Sequence, residues 1–321
     1  MTERNIDNPA IIALLSRLED VDAGVRRIAL IELADLEDPD GLPWLTDALL
    51  VDAADEVRTE AARLLEAWEE PEVVQALCAA LADPAEPVRL AAAQSLSELK
   101  SLEAGQLILP WVSHAAAFVR TSALRALREL RLEDAAAPAL LALADDDAAV
   151  RREAVGILGW LKHEPAVPAL ARLAEGEPDA QVRRAAIGAL GLARGSSVLP
   201  ALVAALNDAV WQVREEAATT LGKVGQAEAG PALVDALADG FWQVRLRAAR
   251  SLGRLRYAAA LDALGDLLGH GIANLRKEAA LALGELGQAR ALPLLQAAEA
   301  DSDPEVRKAV RIALAQLRGV A

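Results

Sequence analysis

A Val-Arg or Leu-Arg pair recurs along this 321-residue chain every 31 or 32 residues, its arginine at Arg26, Arg58, Arg89, Arg120, Arg151, Arg183, Arg214, Arg245, Arg276 and Arg307. A fixed period of this length marks stacked supersecondary units and constrains the architecture before local propensity is weighed. Other columns keep step with the arginine. Three residues after it stands alanine, from Ala29 to Ala279, with Val310 the one departure; seven after it stands leucine, from Leu33 to Leu314. Ten after it the residue is mostly apolar, as in Leu36, Trp68, Leu99 and Leu317. With the residue before the arginine, these positions are i, i+4, i+8 and i+11, one stripe of an α-helix. That helix is the second of each unit.

The first helix is shorter and often opens on proline, at Pro43, Pro138, Pro168, Pro200, Pro231 and Pro293. A proline is well placed there because its missing N–H would have no partner in the first turn. Six residues before the arginine an aspartate recurs (Asp20, Asp52, Asp83, Asp145, Asp208, Asp239, Asp301), where a carboxylate can accept backbone N–H groups at the start of the second helix. Gly195, Gly225 and Gly287 just past second helices, and Gly222, Gly253 and Gly284 near their ends, are expected at the turn to the next unit. The period predicts an all-α solenoid of about ten two-helix repeats in one array over 1–321, near 8–37, 38–69, 70–100, 101–131, 132–162, 163–194, 195–225, 226–256, 257–287 and 288–321. In repeat four, Pro110 and Trp111 fall late in the first helix, where proline is expected to kink it.

Composition narrows the function. Hydrophobic residues make up 54% of the chain but aromatics only 3%, so the core is built from Ala, Leu and Val. A net charge of −15 opposes general nucleic-acid or anionic-membrane binding, since phosphate contacts need an excess of Lys and Arg. Cys78 is the one cysteine, which rules out an internal disulfide, and its apolar neighbours place it in the core. Met1 to Ala10 is polar without an apolar leader, and no long uncharged stretch follows, so a cytoplasmic protein without a membrane span is expected.

The unit D-x-x-x-x-x-R-x-x-A-x-x-x-L, read at Asp145–Leu158, Asp208–Leu221 and Asp301–Leu314, resembles the HEAT-like repeat named after the phycobilin lyases. The resemblance implies a right-handed superhelix and arginine and aspartate columns that bond from one repeat to the next. Function does not follow from it, because the same repeat serves scaffolds, lyases, hydroxylases and DNA glycosylases. The hydroxylases of this type place His-Glu pairs early in the second helix to hold two irons. Here Arg58-Thr59-Glu60, Arg151-Arg152-Glu153, Arg214-Glu215-Glu216 and Arg276-Lys277-Glu278 keep the glutamate and lack the histidine. Of the three histidines, His114 and His270 replace the loop aspartate in repeats four and nine, five units apart, and His163 lies in a turn. No metal, cofactor or catalytic residue is expected.

Candidate partner-binding residues fall in three groups. At the loop-to-helix junction of repeats seven to nine, Val210-Trp211, Phe241-Trp242 and Ile272 put apolar residues where other repeats carry Asp, Ala or Pro. Stacking would line them along one edge, unless Val210, Phe241 and Ile272 tuck inward as staples. Arg247, Arg250 and Arg254 share one face of the second helix of repeat eight, where Glu216 and Glu278 on flanking helices would neutralise part of their charge. The third group is Trp160 beside Gly156 and Gly188, flanked by Arg152 and Arg184; it reads either as a shallow trough or as close inter-repeat packing. Two functions stay open. One is a non-catalytic scaffold binding a protein or peptide on its concave face and one edge. The other is a lyase- or chaperone-like protein acting on a chromophore or prosthetic group, for which the resemblance implies a tetrapyrrole-carrying partner.

Overall fold

The computed structural model describes residues 8–192 and 196–320. Residues 1–7, 193–195 and 321 lie outside them, and with them most of the polar start and one expected turn glycine, Gly195. Among the described residues there are twenty α-helices and no strand, in ten pairs that run from Pro9–Leu18 with Ala23–Ala34 to Leu292–Ala297 with Pro304–Val320. The chain divides into two compact units, Met1–Ile157 and Leu158–Ala321. No helix among the described residues is long and apolar enough to cross a membrane.

The periodic columns are the core. Every leucine seven residues after a repeat arginine is buried, and so is every Ala29-type residue, Val310 included. The residue ten after the arginine is less secure: Leu99 and Leu317 are buried, Trp68 and Leu255 half-buried, and Leu36 exposed. Cys78 is buried, and burial pushes its thiol up to about 12, so it packs as a small apolar residue. First helices carry their prolines in the first turn, as at Leu42–Val51, Val167–Gly176 and Gly230–Ala236. In repeat four, Pro110 ends the α-helix at Ile108, and the chain tightens into a 3-10 turn over Leu109–Ser113.

The expected turn glycines divide by conformation. Gly225 and Gly287 adopt φ of 75° and 68°, the left-handed conformation that ends a helix. Gly222, Gly253 and Gly284 do not belong to turns. They lie inside the second helices Trp211–Val224, Trp242–Arg254 and Ala273–Leu286, where a Cβ would meet the next repeat's backbone or side chain. Gly159 and Gly191 complete a column that faces Ala189, Thr220, Ser251, Ala282 and Ala313 in turn. Successive second helices of the second unit thus meet along a seam of small residues. Ser251 also donates to the Ala218 carbonyl across it at 2.7 Å.

The arginine column closes each unit. Within the first unit Arg26, Arg58 and Arg120 grip Asp52, Asp83 and Asp145 of the following repeat through Nε and Nη2, at 2.7–2.9 Å. Within the second, Arg183, Arg214 and Arg276 grip Asp208, Asp239 and Asp301 in the same way, at 2.6–3.0 Å. The remaining nitrogen, Nη1, donates to the carbonyl six residues back. Each aspartate also accepts the N–H two residues on, as Asp52 does from Ala54 and Asp301 from Asp303. The aspartate therefore shapes the loop that leads into the second helix and ties it to the previous one.

These carboxyls are held below the usual aspartate range. At Asp52, Asp83, Asp208 and Asp239 partial burial pushes upward, but the arginine fork and the backbone N–H outweigh it; at Asp145 and Asp301 the arginine bond dominates outright. A group depressed on folding contributes stability above its unfolded value, about 3.9, and loses it as the pH falls further. The melting temperature is therefore expected to stay level down to about pH 5 and to drop steeply below about pH 4. Asp208→Asn should lower it at neutral pH and soften that drop. A melting temperature that holds steady to pH 2 would remove the ladder's role.

A partner-binding edge and its flanking helix faces

Val210, Phe241 and Ile272 are the N-cap residues of three consecutive second helices, and none offers a capping side chain. Elsewhere in the column Asp147, Asp179 and Asp303 cap their helices, each accepting two N–H groups. The missing cap alone does not single out this edge, because Ala54, Ala85 and Ala116 offer none either; the difference is the size and apolarity of the residue in the cap position. What stands there instead is partly open apolar surface. Phe241 is 45% exposed, while Val210, Trp211, Trp242 and Ile272 are half-buried. Trp211 stacks on Phe241 with centroids 5.4 Å apart and planes 11° apart, and the Arg214 guanidinium lies 5.6 Å above the same ring. The pair joins neighbouring repeats across adjacent columns, since the 31-residue period aligns Phe241 with Val210 and Trp242 with Trp211.

The arginine face of repeat eight is largely neutralised. Arg250 makes a two-pronged bond to Glu278 at 2.7 and 2.8 Å, and Arg247 pairs with Glu215 at 3.0 Å. Glu216, expected to share this task, pairs instead with Arg184 at 3.5 Å. Arg254 is exposed and makes no ion pair among the described residues.

The mid-chain group is divided between the two units. In the first, the gap left by Gly156 is taken by Arg128, whose Cδ would lie 2.9 Å from an added Cβ. Arg128 runs on to the buried Glu153 at 2.8 Å, and Arg125 and Arg152 approach the same carboxylate at 3.5 Å. In the second, Gly188 faces open space except for Glu216, and Trp160 and Leu192 are 48% and 43% exposed.

The two histidines in the aspartate column behave as loop formers. His114 Nδ1 accepts the Ala116 N–H and His270 Nδ1 the Ile272 N–H, in the manner of the aspartates. What this does to the arginine opposite was not legible in the sequence. Arg245 cannot grip a carboxylate: Nε donates to the Asp239 carbonyl, and Nη1 lies 3.1 Å from His270 Nε2. Arg89, opposite His114, donates to the Asp83 and Pro84 carbonyls and lies 5.7 Å from the Phe118 ring centre. No group of three or more His, Cys, Asp or Glu side chains among the described residues is arranged to hold a metal.

Comparison with known proteins places this geometry. The family described as HEAT repeats matches residues 9–97, 44–128, 105–191, 167–241 and 230–315. No curated protein matches. Among solved structures, an engineered protein is similar at 21% identity and a TM-score of 0.54, over 97% of this chain and 99% of that one. YibA of Escherichia coli is similar at 21% identity and a TM-score of 0.60, over 84% and 98%. The karyopherin Kap121p, bound to the extreme C-terminus of the protein phosphatase Cdc14p, is similar at 15% identity and a TM-score of 0.68, over 96% of this chain and 41% of that one. These likenesses concern the fold.

Proposed function

The chain belongs to the HEAT-repeat family, and from that premise we propose that it is a non-catalytic scaffold that takes a protein or peptide segment on the loop edge of repeats seven to nine and the adjoining second-helix faces. One observation carries the reading: three consecutive helices put a large apolar residue in the cap position, at the edge where an exposed Phe241 stacks on Trp211. A stacked aromatic pair beside arginines is the composition of binding hot spots. That a solenoid of similar fold holds the C-terminus of another protein is consistent with it. The chromophore-lyase alternative draws its support from the repeat resemblance alone.

Replacing Trp211 and Trp242 together by alanine is the test. Partner capture is expected to weaken roughly tenfold or more, because each hot-spot residue is commonly worth about 2 kcal/mol. The helical circular-dichroism signal and melting temperature should change little. A variant that melts many degrees lower while its folded fraction still captures partner would make the tryptophans inter-repeat packing and dissolve the site.

A further inference from the structure

We infer that the Arg245–His270 junction recognises a carboxylate side chain of the bound segment, which takes the place an aspartate of the chain fills in other rungs. The inference rests on the proposed edge site and names the chemistry of its occupant. Six ladder arginines use Nε and Nη2 as a fork on the next repeat's aspartate. At repeat nine the aspartate is His270. Arg245 has turned, spending Nε on a carbonyl and Nη1 on the imidazole. Among the described residues its Nη2 has no acceptor and it forms no ion pair; its charge is felt only at a distance by Asp239, whose oxygens Arg214 holds.

The contact that replaces the fork is poorly matched. His270 Nδ1 accepts the Ile272 N–H at 3.0 Å, so the proton of the neutral ring is on Nε2. That N–H then points at an N–H of Arg245 only 3.1 Å away, two donors with no acceptor between them. A carboxylate oxygen placed there would accept from both. The carboxylates nearby are committed, Asp239 to Arg214 and Asp301 to Arg276. Arg245 and His270 are both partly exposed, a Cβ at Gly240 or Gly271 in the adjoining loops would meet nothing within 4 Å, and Phe241, Trp242 and Ile272 follow in the same loops. Arg89 lacks a carboxylate too, but it has the Phe118 ring beside it. Charge favours the same end of the chain. Residues 158–321 hold 18 acidic and 19 basic side chains, whereas residues 1–157 hold 30 and 14, so an acidic segment is repelled by the first unit and not by the second.

The probe is a fluorescein-labelled peptide alternating leucine and glutamate, measured by anisotropy beside its leucine–glutamine and leucine–phosphoserine counterparts. The native chain is expected to bind the glutamate peptide roughly tenfold more tightly than the glutamine one, the usual value of a charge-assisted bond to a guanidinium. His270→Asp supplies Arg245 with an internal carboxylate and should erase that preference without lowering the melting temperature. His114→Asp should leave the preference intact. Trp211→Ala with Trp242→Ala should weaken both peptides alike and preserve their ratio. Should that pair change neither affinity while His270→Asp still erases the preference, the aromatic edge fails and the carboxylate site stands. The inference is overturned if His270→Asp keeps the preference, if the native chain binds none of the peptides or does not tell glutamate from glutamine, or if phosphoserine alone is preferred.

Discussion

Leu221→Ala is expected to cost about 2–5 kcal/mol of unfolding free energy, the range for truncating a fully buried leucine whose surroundings relax only in part. Leu221 is wholly buried in the second helix of repeat seven. The same change at Leu192, 43% exposed two residues past the last turn of its helix, should cost well under 1 kcal/mol. Leu190, wholly buried in that helix, should behave like Leu221. Denaturant titration separates these outcomes, and equal losses at Leu221 and Leu192 would contradict the assignment of the helix faces. Because repeats are stabilised by their neighbours, a cavity in repeat seven should also loosen the repeats stacked on it. Amide hydrogen exchange should register that as lost protection on both sides.

Gly284→Val is expected to be about as damaging, for the opposite reason. A Cβ at Gly284 would lie 2.8 Å from the Ala313 backbone Cα, closer than any packing tolerates, so the two helices must separate. Overpacking of this kind costs about 1–3 kcal/mol and sometimes more. The cost should rise further here because separation opens the seam along neighbouring turns. Gly253, whose Cβ would lie 2.8 Å from Ala282 Cα, should respond in the same way. Gly188→Ala is the contrast: its Cβ meets nothing nearer than a Glu216 oxygen at 3.5 Å, and alanine favours a helix by about 1 kcal/mol over glycine. That variant should be neutral or slightly more stable. Thermal unfolding of the three variants decides the matter, and a tolerated Gly284→Val would show that the seam is not closely packed.

The sequence by itself determined the ten-fold period, the helix pairs and the buried columns. Those depend on the spacing of side chains along one helix, where 3.6 residues per turn converts a repeat into a stripe. It also disclosed the uncapped junctions at Val210, Phe241 and Ile272, because a cap is a local exchange between a side chain and the next few N–H groups. Only the tertiary structure decided what each side chain meets on the neighbouring repeat. Arg247 found Glu215 and left Glu216 to Arg184. Three glycines expected in turns became a seam between helices, and a histidine in a loop left Arg245 without the fork its counterparts use. Such outcomes turn on differences of an ångström in approach or a few tens of degrees in helix rotation. A one-dimensional pattern with a 31-residue period carries neither quantity, so the partner of a side chain across the stack had to be seen.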